Sequence, residues 1–260
     1  MLSNLHTHTY RCGHAVGTDR EYIERAIEGG MKMIGFADHA PFVFPDGYQS
    51  PFRVPMDQAK GYISELQKLQ EEYKDKIEIK IGFEMECYPL YFKDMLKTVC
   101  ELGAEYLILG HHFLNNEHPD GEYISRGKHG ESELHEYVDG VIEGISSGAF
   151  TYVAHPDIFG YSGDREFYKE EMRRLCKAAK KYEMPLEINF LGIRRGGHYP
   201  NPEFWEIAGQ EGCSVVYGFD AHEPEMAYDI GSLQKAEELV TKNGLNLILM
   251  PQLKDPKKAL

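Results

Sequence analysis

The sequence lacks any apolar run long enough to span a bilayer, and no positively charged opening followed by an apolar stretch is present. A membrane-spanning or secreted protein is therefore not expected. Cysteine is scarce: Cys12, Cys87, Cys100, Cys176 and Cys213, an odd number with no C-x-x-C pair. That argues against a disulfide framework and for a reducing, cytoplasmic setting. Basic residues are outnumbered, 28 Lys and Arg against 42 Asp and Glu, a formal net charge of −14, and they form no stripe. Neither a nucleic acid nor a membrane is then expected as the main partner. Low-complexity segments and sequence repeats are missing as well. Bound divalent cations would offset some of the negative charge locally.

The length of 260 residues suffices for a substantial core. Short apolar segments rich in β-branched and aromatic residues recur at 4–8, 33–38, 77–84, 105–110, 151–155, 185–190 and 214–220, with 245–250 as a further candidate. They read as buried parallel strands. Helical patterns lie between them. After Gly130 come Leu134, Tyr137, Val138, Val141, Ile142 and Ile145, an i, i+3, i+4, i+7 stripe. Segment 56–75 places Ile63, Leu66, Leu69 and Tyr73 similarly, and Thr18 with Glu21 has capping-box spacing. This alternation predicts an α/β fold with right-handed crossovers, and seven or eight units suggest closure into a barrel. We expect one domain over residues 1–260.

Active sites of such barrels lie at the C-terminal ends of the strands, and that is where the polar residues fall. His6 and His8 are one residue apart, so in a strand they share a face. His39 follows the second strand in "ADHAP", and Glu84 ends the third in "GFEME". His111 and His112 end the fourth in "ILGHHF", and His155 ends the fifth in "VAHPD". Asn189 and Arg194 follow the sixth in "INFLGIRRG", and Asp220 and His222 end the seventh in "GFDAH". Any one of these is an ordinary loop or capping residue. Their coincidence at one end of successive strands predicts a metal site.

These motifs, with His14, resemble the PHP superfamily of metal-dependent phosphoesterases. "ADHAPF", "GFEMEC", "LILGHHF", "EINFLGIRRG" with "YP" soon after, and "DAHEPE" are similar to the histidinol-phosphate phosphatases within it. The resemblance runs from the first residues to about Glu225. It implies a distorted (β/α)7 barrel with three divalent metal ions, Zn, Fe or Mn, between which sequence cannot choose. Carried over by motif, His6, His8, Glu84 and Asp220 would hold one ion. Glu84 would bridge to a second, completed by His112 and His155. His14, His39 and His222 would hold the third. Arg194 occupies the phosphate-contact position, with Arg195 as the neighbour if the loop register slips by one and Arg126 as a weaker candidate. Glu84, Asp220 and Arg194 are thus the catalytic candidates.

The resemblance implies hydrolysis of L-histidinol phosphate in histidine biosynthesis. A metal cluster lowers the pKa of bound water toward 7, and attack by a metal-bridging hydroxide is the expected chemistry. The partner is then a small phosphorylated metabolite, and the protein a monomer or small homo-oligomer. Alternatives are a PHP phosphoesterase for nucleotides, sugar phosphates or phosphotyrosine, and a catalytically silent PHP module. Glu86 shares the strand parity of Glu84, so it either binds the substrate ammonium or orients a metal-bound histidine. Asp157 has the same two options. Asp38 or a spare histidine, among others, could be the general acid. The proline-punctuated segment 40–55 reads as a rim over the site or a plain connection. Cys12, inside the opening motif, reads as a ligand or, more simply, as a small filler near the site. His135 is expected on a solvated helix face, and His118 and His129 in a long loop.

Overall fold

Strand-forming and helix-forming segments alternate along the chain, and the computed structural model, which describes residues 2–260, converts that alternation into strands ringed by helices. One parallel sheet runs β1 (Ser3–Asn4), β2 (Met33–His39), β3 (Glu78–Met85), β4 (Tyr106–Leu109). A second runs β5 (Leu186–Asn189), β6 (Ser214–Gly218), β7 (Asn246–Leu247). Two joints close the sheets into a distorted barrel. Val153 bridges Leu109 on one side and Leu186 on the other, and Thr7 bridges Ala221 just past β6. The staves are thus β1 with its extension, β2, β3, β4, the Val153 segment, β5 and β6. β7 pairs only with the start of β6.

Several strands are shorter than their sequence patterns predict, and three are cut back furthest. The 151–155 segment shrinks to the single bridge at Val153. Its amides alternate partners: Thr151 and Ala154 donate to Leu107 and Leu109 of β4, while Val153 donates to Pro185 on the other side. The first strand ends at Asn4, and His6 to His8 continue only as an isolated bridge, with the His8 amide donating to the Ala221 carbonyl at 2.9 Å. The last candidate strand, 245–250, keeps two residues.

The outer layer is α1 (Asp19–Glu28), α2 (Met56–Tyr73), α3 (Phe92–Leu102), α4 (Glu131–Ser147), α5 (Arg165–Lys181), α6 (Phe190–Arg195), α7 (Pro202–Gln210) and α8 (Ile230–Asn243). α1 opens with the capping box of Thr18 and Glu21. On α4 the stripe Leu134, Tyr137, Val138, Val141 and Ile145 is buried against the strands. Each such side chain contributes about 1.5–3 kcal/mol of burial. Among the described residues, no helix is long and apolar enough to cross a membrane.

Inside the barrel, Leu5, Tyr106, Ile108, Tyr152, Ala154 and Val216 form an apolar floor. Tyr106 fills space that two glycines vacate. A Cβ on Gly35 would lie 2.3 Å from its hydroxyl oxygen, and one on Gly82 would lie 2.6 Å from its ring. The hydroxyl donates to the Leu5 carbonyl at 2.8 Å. With the floor filled, the polar side chains of the strand ends converge in the layer above it.

Candidate metal centre

The ladder between β2 and β3 sets His39 opposite Glu84. Both are buried, and Glu84 is the hub of the mouth. Its Oε1 lies 2.7 Å from His155 Nε2 and 3.3 Å from His112 Nε2. Its Oε2 lies 3.2 Å from His39 Nδ1, 3.4 Å from His6 Nε2 and 3.6 Å from His8 Nε2. Five imidazoles thus surround one carboxylate. Asp220 Oδ1 adds contacts to His8 at 3.3 Å, His222 at 3.3 Å and His6 at 3.7 Å.

Electrostatics agrees with crowding of this kind. Burial alone would lower the pKa of His6, but Glu187, Asp220 and Glu84 outweigh it and raise it to about 10. His8 and His112 are likewise raised against burial, by Asp220 and Asp38 and by Glu84 and Glu86 respectively. Burial pushes His222 down to about 3 and His39 well below its usual value, with neighbouring imidazolium charge adding to the effect. Burial raises the carboxyl pKa values of Glu84 and Asp220, but the imidazoles around them prevail and hold both well below the usual range.

The donor set fits divalent cations. Glu84 Oε2, Asp220 Oδ1 and His39 Nδ1 are buried and have no hydrogen-bond partner. Leaving such atoms unpaired is costly unless something else satisfies them. Three donor atoms lie within 4.8 Å of one another in each of the groups His6–His8–Glu84, His6–His155–Asp220, His39–Glu84–His112 and His8–His39–His222. All nine residues expected to ligate are therefore gathered, except that His14 sits at the margin. Its Nδ1 donates to the Cys12 carbonyl at 2.9 Å, and its ring centroid is 5.0 Å from His222 and 5.4 Å from His39. His155 falls in a group with His6 and Asp220 as well as beside Glu84.

Carboxylates stand behind three of the imidazoles. Glu187 Oε1 is 2.8 Å from His6 Nδ1, Asp38 Oδ1 is 3.4 Å from His8 Nδ1, and Glu86 Oε1 is 2.7 Å from His112 Nδ1. Such partners fix which ring nitrogen faces a cation. Asp38 is fully buried and also accepts from the Thr9 and His39 amides, so it holds the site together and is closed to a leaving group. Cys12 is buried within ligand distance of His8 and Asp38, and its thiol donates to the Thr9 carbonyl at 3.1 Å.

Several sequence expectations change here. Glu86 does not reach a substrate space: it is fully buried, and its second oxygen accepts from Arg53 at 2.6 Å, so of its two expected roles the geometry leaves orientation of His112. Arg194 does not present an open fork. Its Nη2 donates to the Phe219 and Asp220 carbonyls at 2.7 and 3.0 Å, and its Nη1 to Asp229 at 3.2 Å. It clamps the turn carrying Asp220, whose φ is +46°. Arg195 is exposed and, among the described residues, has no carboxylate within ion-pair reach. Asp157 fastens α7 with one oxygen: its Oδ2 accepts from the Asn201 amide at 2.6 Å and the Trp205 indole at 2.9 Å, while its Oδ1 is buried without a hydrogen-bond partner. Burial pushes its carboxyl up to about 6.

The proline-punctuated segment does wall the site. The Phe52 ring lies 4.5 Å from His39 and 5.7 Å from His112. Arg53 beside it is buried on Glu86, Glu117 and the Ala40 carbonyl. His118 stacks on Tyr48 of the same segment at 4.0 Å and pairs with Asp46 at 2.8 Å. His111 is buried between Tyr88 and Tyr137, away from the cluster, and His129 bonds the Arg126 carbonyl. His135 lies on the outer face of α4 beside Asp139 and Glu171.

Sequence reasoning overlooked Glu187 and Arg53. Glu187 had a usable signal: it is a carboxylate in the apolar strand "PLEINF", on the parity of Asn189. Arg53, in an irregular loop, had none.

Comparison with known proteins bears on this geometry. The PHP domain family model matches residues 4–190. The chain is 31% identical over 234 residues to the "Probable histidinol-phosphatase" of Deinococcus radiodurans, covering 86% of this chain and 87% of that protein. It is 29% identical over 265 residues to the histidinol-phosphatase of Bacillus subtilis, covering 89% and 96%. A crystal structure of histidinol phosphate phosphatase from Lactococcus lactis, complexed with zinc, L-histidinol and phosphate, matches with a TM-score of 0.74 over 98% of this chain and 97% of that one, at 21% identity. The family match spans well over half of the sequence and the closed barrel carries its imidazoles and carboxylates at one mouth, so the chain belongs to the PHP domain family.

Proposed function

We propose that the protein is a phosphatase that hydrolyses L-histidinol phosphate at a centre of three divalent cations. The observation that carries the metal-dependent part is the ring of five imidazoles within 4.0 Å of the Glu84 carboxylate, with donor atoms left unpaired. The substrate assignment is supported by the names of the relatives described above. His6, His8, Glu84 and Asp220 would hold one cation, Glu84, His112 and His155 a second, and His14, His39 and His222 the third. Cations held there would supply positive charge against phosphoryl oxygens and an acidified water near neutral pH.

The chain's own residues do the rest. Glu84 presents one carboxylate oxygen to each side of the cluster. Glu86 keeps the proton of His112 on Nδ1, so that Nε2 faces inward. Phe52 excludes water along the wall formed by His39 and His112. Arg194 fixes the Asp220 turn with its Nη groups, which leaves Arg195 and, as the weaker candidate, Arg126, both exposed and without an ion-pair partner among the described residues, as the guanidiniums available to a phosphoryl group.

A survey of metal-loaded enzyme against histidinol phosphate, nucleoside monophosphates, sugar phosphates and phosphotyrosine tests the substrate. Histidinol phosphate should give the highest kcat/KM. A nucleotide or sugar phosphate ranking first would overturn the substrate and leave the phosphoesterase chemistry standing.

Two substitutions separate the roles. Arg195→Ala should lower kcat/KM on histidinol phosphate and p-nitrophenyl phosphate alike, about ten- to hundredfold, since a charge-assisted contact is worth about 1.5–3 kcal/mol. Glu86→Gln should also hit both substrates equally, because it acts through His112. A loss confined to histidinol phosphate would place Glu86 on the ammonium after all.

A further inference from the structure

Glu187 lies in β5, wholly buried, and its contact with His6 is one of several it makes. Three donors converge on its two oxygens. Oε1 receives His6 Nδ1–H at 2.8 Å. Oε2 receives the His155 backbone N–H at 2.9 Å and Asn189 Nδ2–H at 2.9 Å. The same Asn189 amide also donates to Asp220 Oδ2 at 3.1 Å. One carboxylate therefore reaches a ring, a backbone and, through Asn189, a second carboxylate, each belonging to a residue of the cluster.

Two features show that the surroundings are shaped around it. Gly218 on the neighbouring strand leaves room for the carboxylate, since a Cβ there would lie 1.6 Å from Glu187 Oε1. His155 has φ +30°, a conformation that a histidine rarely adopts and that must be held by its neighbours. The bond from its amide to Glu187 is one such hold.

We propose that Glu187 is a positioning residue of the metal centre, fixing the His6 tautomer, the strained His155 backbone and, through Asn189, the Asp220 carboxylate in one arrangement. This rests on the metal-centre reading given above. The chemistry of the alternatives makes the role specific. All three partners are donors, and a carboxylate accepts from all of them. A glutamine in its place cannot. If its carbonyl faces His6, its amide N–H groups meet the His155 amide and Asn189, donor against donor. If its carbonyl faces His155, its amide donates to His6 Nδ1. The His6 proton then moves to Nε2, the nitrogen that faces Glu84 and Asp220, and that ring can no longer ligate.

The test is Glu187→Gln in the full chain, with Zn2+ as the probe. Zinc affinity is read by competition with a chromophoric chelator, stoichiometry by elemental analysis, and melting temperature in the metal-free and zinc-loaded states. Affinity for at least one zinc should fall about ten- to hundredfold, the range seen when a partner behind a metal-bound histidine is removed. The metal-free melting temperature should stay within a few degrees of wild type, while the rise on adding zinc shrinks. A role confined to folding predicts the reverse, a lowered metal-free melting temperature with unchanged zinc affinity, and that result overturns the inference. A wild type that binds no zinc overturns the metal-centre reading together with this one. A wild type that binds zinc beside an equally competent Glu187→Gln overturns this one alone.

Should Glu187→Gln fail to fold, the wild type still decides. Nitrogen NMR of zinc-loaded protein should show His6 with its proton on Nδ1 and Nε2 bare. A proton on Nε2, or a bare Nδ1, overturns the assignment.

Discussion

Stripping divalent cations should abolish turnover and lower the melting temperature together. The imidazoles and carboxylates gathered around Glu84 leave Glu84 Oε2, Asp220 Oδ1 and His39 Nδ1 buried without a hydrogen-bond partner, and bound cations would relieve that cost. Ligand that binds the folded state alone stabilises it by mass action, about 2.7 kcal/mol at a hundredfold excess over Kd. The pH dependence has a definite sign. His6, His8 and His112 have raised pKa values in the metal-free protein, so they carry protons at neutral pH that a cation must displace. Metal affinity should therefore rise with pH and fall in acid, with proton release on binding. Calorimetry in two buffers of different ionisation enthalpy measures that release. Activity should return on adding Zn, Mn or Fe to the stripped protein. Full activity in a sample verified by elemental analysis to be metal-free would end the metal-centre reading.

Glu84→Gln should be the most damaging single substitution in the cluster. It removes charge from the one carboxylate that faces His6, His8 and His39 with one oxygen and His112 and His155 with the other. Losing a single electrostatic stabiliser of a reaction costs roughly 10²–10³-fold in kcat, and a group that would be shared between two cations, as proposed for Glu84, should cost at least that. His135→Ala is the control. Its side chain is half exposed on the outside of α4, where substitutions usually change stability by less than about 0.5 kcal/mol. Turnover of the two variants is measured on metal-loaded protein. Similar values would place the centre of the ligand map elsewhere.

What could be read from the chain was the part governed by short-range periodicity. His6 and His8 share a face because side chains alternate, and their Nε2 atoms do lie 3.1 Å apart. His39, Glu84, His155 and Asp220 stood out because strand after strand ended in a polar group, and parallel strands put all those ends on one mouth. What could not be read depends on partners far along the chain. Arg194 looked like an open guanidinium, yet its fork is taken by carbonyls of residues 219 and 220, supplied by a different loop. Glu86 had two readings until Arg53, 33 residues earlier, closed off one oxygen. Glu187 meets His6 across 181 residues, and the space that admits it is a missing side chain on the next strand. The 151–155 segment has strand composition, but its hydrogen bonds are divided between two neighbours, so a five-residue pattern left a single bridge.

The proposed substrate is tested directly by one comparison: kcat/KM of the metal-loaded enzyme on histidinol phosphate against p-nitrophenyl phosphate. The latter has much the better leaving group, so chemistry alone favours it. An enzyme built for histidinol phosphate uses contacts with the remote imidazole and ammonium to stabilise the transition state. Histidinol phosphate should therefore give the higher kcat/KM despite its poorer leaving group. A higher value for p-nitrophenyl phosphate would contradict the proposed substrate.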